Sequence, residues 1–299
     1  MIEYARLTPG PEFRPVNAML YYSQRLVTLA SLRAAISLGI ATAVRRVHGT
    51  GPEWTDDEAE SEAVAALDRA GFAIMQAMPT HLTDKMLAFF NSSKVVGPGN
   101  CLAALDQLPS GIALAPYPLQ TVLTCPGVLE IVNSPAILRI VARYLGCKPT
   151  LASIGVRWSL PTDSEAPPEV QTFHRDTDDW LLVKVFIYLT DVDAESGPHS
   201  FVITSHKSSG TLRARSFTTA EVEKKYGTAN IVQIVGPRGT NFIANTYGIH
   251  KGVPPLRRPR LMLQATYSLL PNFALRYRPV EMVNRPALDP YVNRLLLAP

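Results

Sequence analysis

Cysteine is scarce in this chain of 299 residues: Cys101, Cys125 and Cys147 stand more than twenty residues apart and form neither a CxxC pair nor a dense even-numbered framework. That spacing suits a reducing compartment, so we expect buried thiols and a cytoplasmic protein. Charge of one sign is lacking too. Lys and Arg number 29 against 25 Asp and Glu, a net charge of +4 with no long basic run to track a phosphate backbone, so nucleic acid is not an expected partner. Only one stretch, Leu26 to Val44, approaches a long hydrophobic run, and Arg33 interrupts it. Glu3 precedes it, and no charged start leads into a short apolar core and a small-residue cleavage site, so neither a membrane span nor a signal peptide is expected. No internal repeat or low-complexity segment is visible.

What is present suffices for a large core, since 46% of the residues are hydrophobic. Such a chain forms one domain with an elaborated edge or a catalytic domain with a helical cap. From Asn17 to Arg46, Leu20, Leu26, Leu29, Ile36, Ile40 and Val44 recur at helical spacing, the face of one amphipathic helix or two. That face packs on its own domain, joins a second subunit in a homo-oligomer or meets a membrane interface. Thr55-Asp56-Asp57-Glu58 starts a helix running to about Arg69, since a capping hydroxyl and acids favour its first turn. Gly71 ends it, Phe72 to Met75 reads as a short strand, and Thr83 to Phe90 as a further helix. Residues 94–125, rich in Gly, Pro and small residues without a period, read as a loop. Ser134-Pro135 then caps a helix whose stripe of Ile137, Leu138, Ile140, Val141 and Leu145 stops at Gly146.

From Thr150 the texture changes to short β-branched and aromatic runs between Gly, Pro and Asp. Strands are expected over Leu151 to Ser159, Val170 to His174, Leu182 to Thr190, Phe201 to Thr204, Ile231 to Val235, Thr240 to Asn245 and Leu261 to Leu269. The expected fold is mainly β, a barrel or sandwich with flanking helices. One helix interrupts it, with Thr218 and Glu221 spaced as a capping box.

His174 and Asp176 stand two apart, so an extended backbone points both at one face. A His-x-Asp pair is common, and its plain reading is a turn capped by the aspartate. A third candidate, His250, ends another strand region, although a lone histidine there is often structural. Two imidazoles and a carboxylate form the set that holds non-haem Fe(II) with open positions. Arg260 opens the last long strand, where a planar two-pronged guanidinium suits a carboxylate deep in a pocket.

These residues resemble the phytanoyl-CoA dioxygenase family of Fe(II)/2-oxoglutarate oxygenases. The resemblance rests on His174-Arg175-Asp176, on Phe186-Ile187-Tyr188-Leu189-Thr190-Asp191-Val192-Asp193 leading into Ser196-Gly197-Pro198, on Ser205-His206-Lys207, and on His250 followed by Arg260. It covers roughly residues 60–270 and does not reach the first fifty. It implies a double-stranded β-helix, a jelly-roll of cupin type; we expect that domain over residues 51–299, with residues 1–50 as an N-terminal helical extension. It further implies that His174, Asp176 and His250 hold Fe(II), that Arg260 grips the distal carboxylate of 2-oxoglutarate, and that molecular oxygen and a small-molecule substrate complete the reaction. Products are succinate, CO2 and a substrate hydroxylated or otherwise oxidised at carbon. Because related halogenases lack the carboxylate ligand, Asp176 points away from halogenation.

Two more positions carry over by the same resemblance, Arg157 and Lys184 as cofactor contacts; read by themselves, both are rim charges on a solvent face. Lys184, Phe186 and Tyr188 alternate onto one face, and Trp158 should face away from Arg157. The chain departs from the family at Gly252, where a serine or threonine sometimes adds a grip on the cofactor. Arg257 and Arg258 fall in the Pro-rich turn before Arg260 and are not preferred to it. His206 is read as structural and His199 as a pocket-lining candidate, neither as a ligand. Asp178, Asp179 and Trp180 are read as substrate contacts or as turn and core residues. Two rival classes remain: a non-catalytic β-helix module binding metal or sugar, which has no use for a co-substrate anchor, and a cupin-type metal isomerase or hydrolase, which usually gathers more histidines close together than a chain with six in all offers. Substrate choice is expected in residues 94–125, 161–169 and 208–217.

Overall fold

The computed structural model describes residues 3–163, 168–210, 215–282 and 287–298, so parts of two expected specificity loops, 164–167 and 211–214, lie outside the described residues. The helices are α1 (Pro15–Leu26), α2 (Ala30–His48), α3 (Glu58–Ala70), α4 (Thr80–Asn91), α5 (Leu119–Thr124), α6 (Val128–Val132), α7 (Pro135–Leu145), α8 (Thr219–Tyr226) and α9 (Pro290–Asn293). The strands are β1 (Glu3–Tyr4), β2 (Phe72–Met75), β3 (Val95–Val96), β4 (Leu102–Ala103), β5 (Leu114–Pro116), β6 (Thr150–Ser159), β7 (Leu182–Tyr188), β8 (His199–Val202), β9 (Ile231–Ile234), β10 (Asn241–Ala244), β11 (His250–Gly252), β12 (Arg260–Ser268) and β13 (Leu275–Arg276). A six-stranded antiparallel sheet in the order β2-β10-β7-β12-β6-β5 faces a three-stranded one in the order β11-β8-β9. Two short pairs, β1 with β13 and β3 with β4, complete the inventory.

Strand periodicity decides which side chains meet. On β7, Val183, Val185 and Ile187 turn outward while Phe186 and Tyr188 turn inward. On β12, Leu261, Leu263, Ala265 and Tyr267 go out and Met262 goes in; on β6, Ile154, Val156 and Trp158 go out, and Trp158 gives its indole N–H to Tyr117. The outward set packs under α3 to α7 in one apolar cluster. Helix α7 shows why. Ser134 caps it, Pro135 fits its first turn, Gly146 closes it in the left-handed region, and Ile137, Leu138, Ile140, Val141 and Leu145 are buried, about 1.5–3 kcal/mol each. The inward set meets Phe201 and Ile234 of the small sheet in a second cluster. Lys184, Arg157 and Arg260 share that inner side by alternation, so the rim reading of Arg157 and Lys184 does not hold.

The periodic stretch 17–46 is two helices, one of the two arrangements its spacing allows, broken at residues 27–29. Other elements differ from expectation. Residues 94–125 contain β3, β4, β5 and α5, because Leu114, Ala115 and Pro116 pair with Ser159, Trp158 and Arg157. Residues 170–174 are not a strand: a single helical turn at Glu169–Gln171 leads to isolated bridges at Phe173 and His174. The strand expected from Phe201 begins at His199 and ends at Val202, since Thr204 takes φ 63° to start the next turn. Cys125 and Cys147 are buried, but Cys101 is exposed on the β3–β4 excursion, so the buried-thiol reading fails there.

Candidate metal centre

Two chain segments meet at the mouth between the sheets. His174 and His250 exchange both backbone hydrogen bonds, 2.9 and 3.0 Å, and the Asp176 N–H donates to the Thr246 carbonyl at 2.9 Å. This short ladder brings the side chains of His174, Asp176 and His250 together, with one ligand atom of each within 4.8 Å of the others. The two Nε2 atoms lie 3.7 and 3.6 Å from the Asp176 carboxylate. Each Nδ1 is tied to a carbonyl two residues back, Thr172 at 2.8 Å and Gly248 at 2.9 Å. Such a tie leaves Nε2 as the lone-pair donor facing the carboxylate.

The charges agree. Burial, with His174 beside it, pushes His250 down to about 3, so its imidazole is neutral at neutral pH. Burial raises Asp176, but Lys184, His250 and His174 outweigh it and hold the carboxylate well below its usual range. The Lys184 ammonium lies 2.7 Å from Asp176 Oδ2. A carboxylate, two imidazoles that present Nε2 to it and an anchoring cation make a site suited to a divalent metal.

Arg260 is 1% exposed and carries a charge that no carboxylate meets among the described residues. Its Nη2 donates to Ser159 at 3.2 Å, while Nε and Nη1 are buried without a partner. Burial lowers it to about 10, so it stays charged. Arg157, one strand over, has its own Nε buried and unpartnered. Gly252 explains how the guanidinium fits: a Cβ there would stand 3.0 Å from Arg260 Nη2. The departure noted in the sequence is thus a close approach of side chain to backbone.

The remaining candidates separate clearly. His199 is buried between Phe186, Phe242 and His250, its Nε2 unpartnered. Two residues before Phe201 on β8, it shares that strand's inner face. His206 binds the Asp68 carbonyl at 3.1 Å and closes a turn. Asp179 is structural, its carboxylate accepting the N–H groups of Leu269, Leu270 and Trp180 at 2.7, 2.9 and 2.8 Å. Trp180 packs on the large apolar cluster. Asp178 stays near the centre, its acidity weakened by burial and by Asp176, with Lys184 and Arg25 opposing. Arg257 and Arg258 pair with Glu195 and Asp193 on the exposed rim. The sequence reading missed Ser159, visible only through the register Arg260 to Ser159, and Arg175. Arg175 binds the carbonyls of Ser205 and Tyr247 at 2.9 and 2.6 Å and so clamps the two ligand segments from behind.

Residues 118–254 match the sequence model of the family described as phytanoyl-CoA dioxygenase (PhyH). Among curated proteins nothing matches the chain. Solved structures do. The chain is similar to EctD from S. alaskensis in its apoform, at 16% identity and TM-score 0.52 over 84% of this chain and 92% of that one. It is similar to the epimerase SnoN in complex with Fe3+, alpha ketoglutarate and nogalamycin RO, at 18% identity and TM-score 0.51 over 70% and 83%. It is also similar to the non-heme alpha ketoglutarate dependent carbocyclase SnoK, at 17% identity and TM-score 0.50 over 73% and 86%. At these identities the likeness shows the fold, a jelly-roll of facing antiparallel sheets, as expected from the sequence.

Proposed function

We propose, because residues 118–254 match the model of the phytanoyl-CoA dioxygenase family, that the chain is an Fe(II)- and 2-oxoglutarate-dependent dioxygenase that oxidises a C–H bond of a small molecule. The metal ligands are His174, Asp176 and His250, and Arg260 receives the distal carboxylate of 2-oxoglutarate. One observation carries the reading: beside Gly252, on the strand that begins at His250 of the trio, lies a buried guanidinium whose unpartnered N–H groups need an anion. A metal- or sugar-binding module needs no such anchor, and an isomerase of cupin type needs no second substrate.

When bound, the iron and its co-substrate supply the oxidising chemistry. The chain's own residues supply the rest. The carbonyls of Thr172 and Gly248 fix both imidazoles, Lys184 neutralises and orients Asp176 through Oδ2, and Arg260 with Ser159 orients the co-substrate by charge-assisted bonds. Arg157 and Lys184 add positive charge toward the same anion. Phe186 and Phe242 pack their rings against His199 and add apolar surface on the inner side, next to the His250 ring that His199 stacks on.

Hydroxylation is one outcome; the similar structures described as an epimerase and a carbocyclase show that this fold serves others. The same proposal places the enzyme in the cytoplasm, as a homo-oligomer joined through the N-terminal helices, where Val16, Met19, Leu26 and Leu38 are exposed. No helix among the described residues is long and apolar enough to cross a membrane. Adding Fe(II) and 2-oxoglutarate anaerobically should give a weak visible charge-transfer band, and candidate metabolites should release succinate with a mass change in the product. Folded protein that gives no band sinks the reading.

A further inference from the structure

Arg33 interrupts the apolar stretch of α2, and the structure buries it to 4% exposure. No carboxylate side chain lies within ion-pair distance of it among the described residues. Its donors go to four carbonyls instead: Gln24 and Val27 at the end of α1, the latter at 3.2 Å, and Asp179 and Trp180 at 2.8 and 3.2 Å. Its guanidinium also lies over the ring of Tyr247, 4.4 Å from the centroid. Asp179 and Trp180 end the segment that carries His174 and Asp176. Tyr247 belongs to the turn that leads to His250, and its own carbonyl is held by Arg175. One side chain from the N-terminal helices thus touches both ligand-bearing segments, and the same α1–α2 corner adds Gln24, whose amide reaches the Asp179 carboxylate at 3.5 Å.

We infer that Arg33 is a positioning residue for the metal centre, and that α1 and α2 complete the site by locking residues 174–180 against residues 245–250. This rests on the reading of His174, Asp176 and His250 as ligands. Four carbonyls satisfied by one rigid fork fix backbone direction in a way an ammonium cannot, because lysine offers a point charge without the planar geometry. Groups that hold metal ligands from outside commonly set affinity by about 10- to 100-fold without touching the ion.

The test compares Arg33→Met and Arg33→Lys with Val44→Ala, which thins the packing of α2 in the apolar cluster without touching either segment. Two readouts serve: Co(II) titration of the full chain, and amide hydrogen exchange of the metal-free protein. Arg33→Met should weaken Co(II) binding about tenfold and speed exchange in residues 174–180. Arg33→Lys should recover part of both. Val44→Ala should leave both unchanged, even where its loss of thermal stability is as large. Equal effects from Val44→Ala, or unaltered exchange in residues 174–180 of Arg33→Met, overturn the inference. Should Arg33→Met not fold, Arg33→Lys carries the comparison alone. Wild-type protein that binds no Co(II) overturns the metal reading, and the exchange result then decides for or against the Arg33 joint by itself.

Discussion

Two buried arginines without carboxylate partners divide this molecule into a finished joint and an unfinished socket. Around Arg33 the chain supplies carbonyls and an aromatic face, so that the charge is desolvated yet its hydrogen bonds are made. Around Arg260 it supplies one hydroxyl and stops, leaving two N–H groups buried and a second cation, Arg157, nearby. Folding gains from the first arrangement and loses from the second. A buried cation that costs stability and lies on the inner face beside the His174, Asp176 and His250 trio is what the proposed co-substrate anion would account for.

The sharpest way to break this comparison is to remove each charge. Arg260→Met should weaken 2-oxoglutarate binding, followed by the charge-transfer band, by about 2–5 kcal/mol, thirtyfold or more, while Fe(II) binding persists. In the cofactor-free protein the same change should leave the melting temperature level or higher, because a buried unpaired charge gives way to apolar volume. Arg33→Met should act in the opposite sense on stability, costing about 2–3 kcal/mol in denaturant unfolding, since four carbonyls lose their donor at roughly 0.5–1.5 kcal/mol each with some overlap. Both variants equally destabilised would erase the distinction.

A third prediction uses Asp179, which shares the Arg33 joint. Burial pushes its carboxyl up to about 7 despite the backbone N–H groups of Leu270, Trp180 and Leu269 and the nearby Arg33, which pull the other way. The folded value is raised above the unfolded one, near 3.8, so the native state binds a proton that the unfolded chain has lost. This contribution to stability is complete below pH about 4, falls as pH rises toward 7, and is gone above that, at a slope of up to about 1.4 kcal/mol per pH unit. Unfolding of the metal-free protein against pH, wild type beside Asp179→Asn, checks it. A difference between the two that stays flat from pH 4 to 7 would show Asp179 ionised throughout and Arg33 set beside a standing negative charge.

Sequence patterns revealed much of the barrel because the period of two survives where one sheet face is apolar. Val183, Val185 and Ile187 alternating with Lys184, Phe186 and Tyr188 placed that strand correctly, and the caps at Ser134 and Thr218 hold as expected. The ligand trio could be proposed because its chemistry is carried by residue type. Other features depend on contacts made far along the chain. β5 is a strand only through its register with β6, Asp179 turns structural only through the N–H groups of Leu269 and Leu270, and His174 bridges a single partner instead of forming a strand. Arg33 was visible as the charge that spoils a membrane span, but its partners lie at residues 179 and 180, which no local period connects to it.

The smallest expected effect tests how tightly the socket is built. Gly252 precedes Arg260 by eight residues, and its backbone runs so close to the guanidinium that an added Cβ would stand 3.0 Å from Nη2. That distance is tight without being impossible, and Arg260 has no open solvent to retreat into, being almost fully buried. Gly252→Ala should therefore tilt the guanidinium and cost about 1 kcal/mol of 2-oxoglutarate affinity, roughly fivefold, the lower end of the range for overpacking. Metal binding should hold, since His250 lies two residues away with its ring fixed by the Gly248 carbonyl. A serine there adds a hydroxyl beside the bound carboxylate, so Gly252→Ser should recover part of what alanine loses. If alanine tightened the binding instead, the close approach would be slack, and the claim that Gly252 makes room for Arg260 would fall with it.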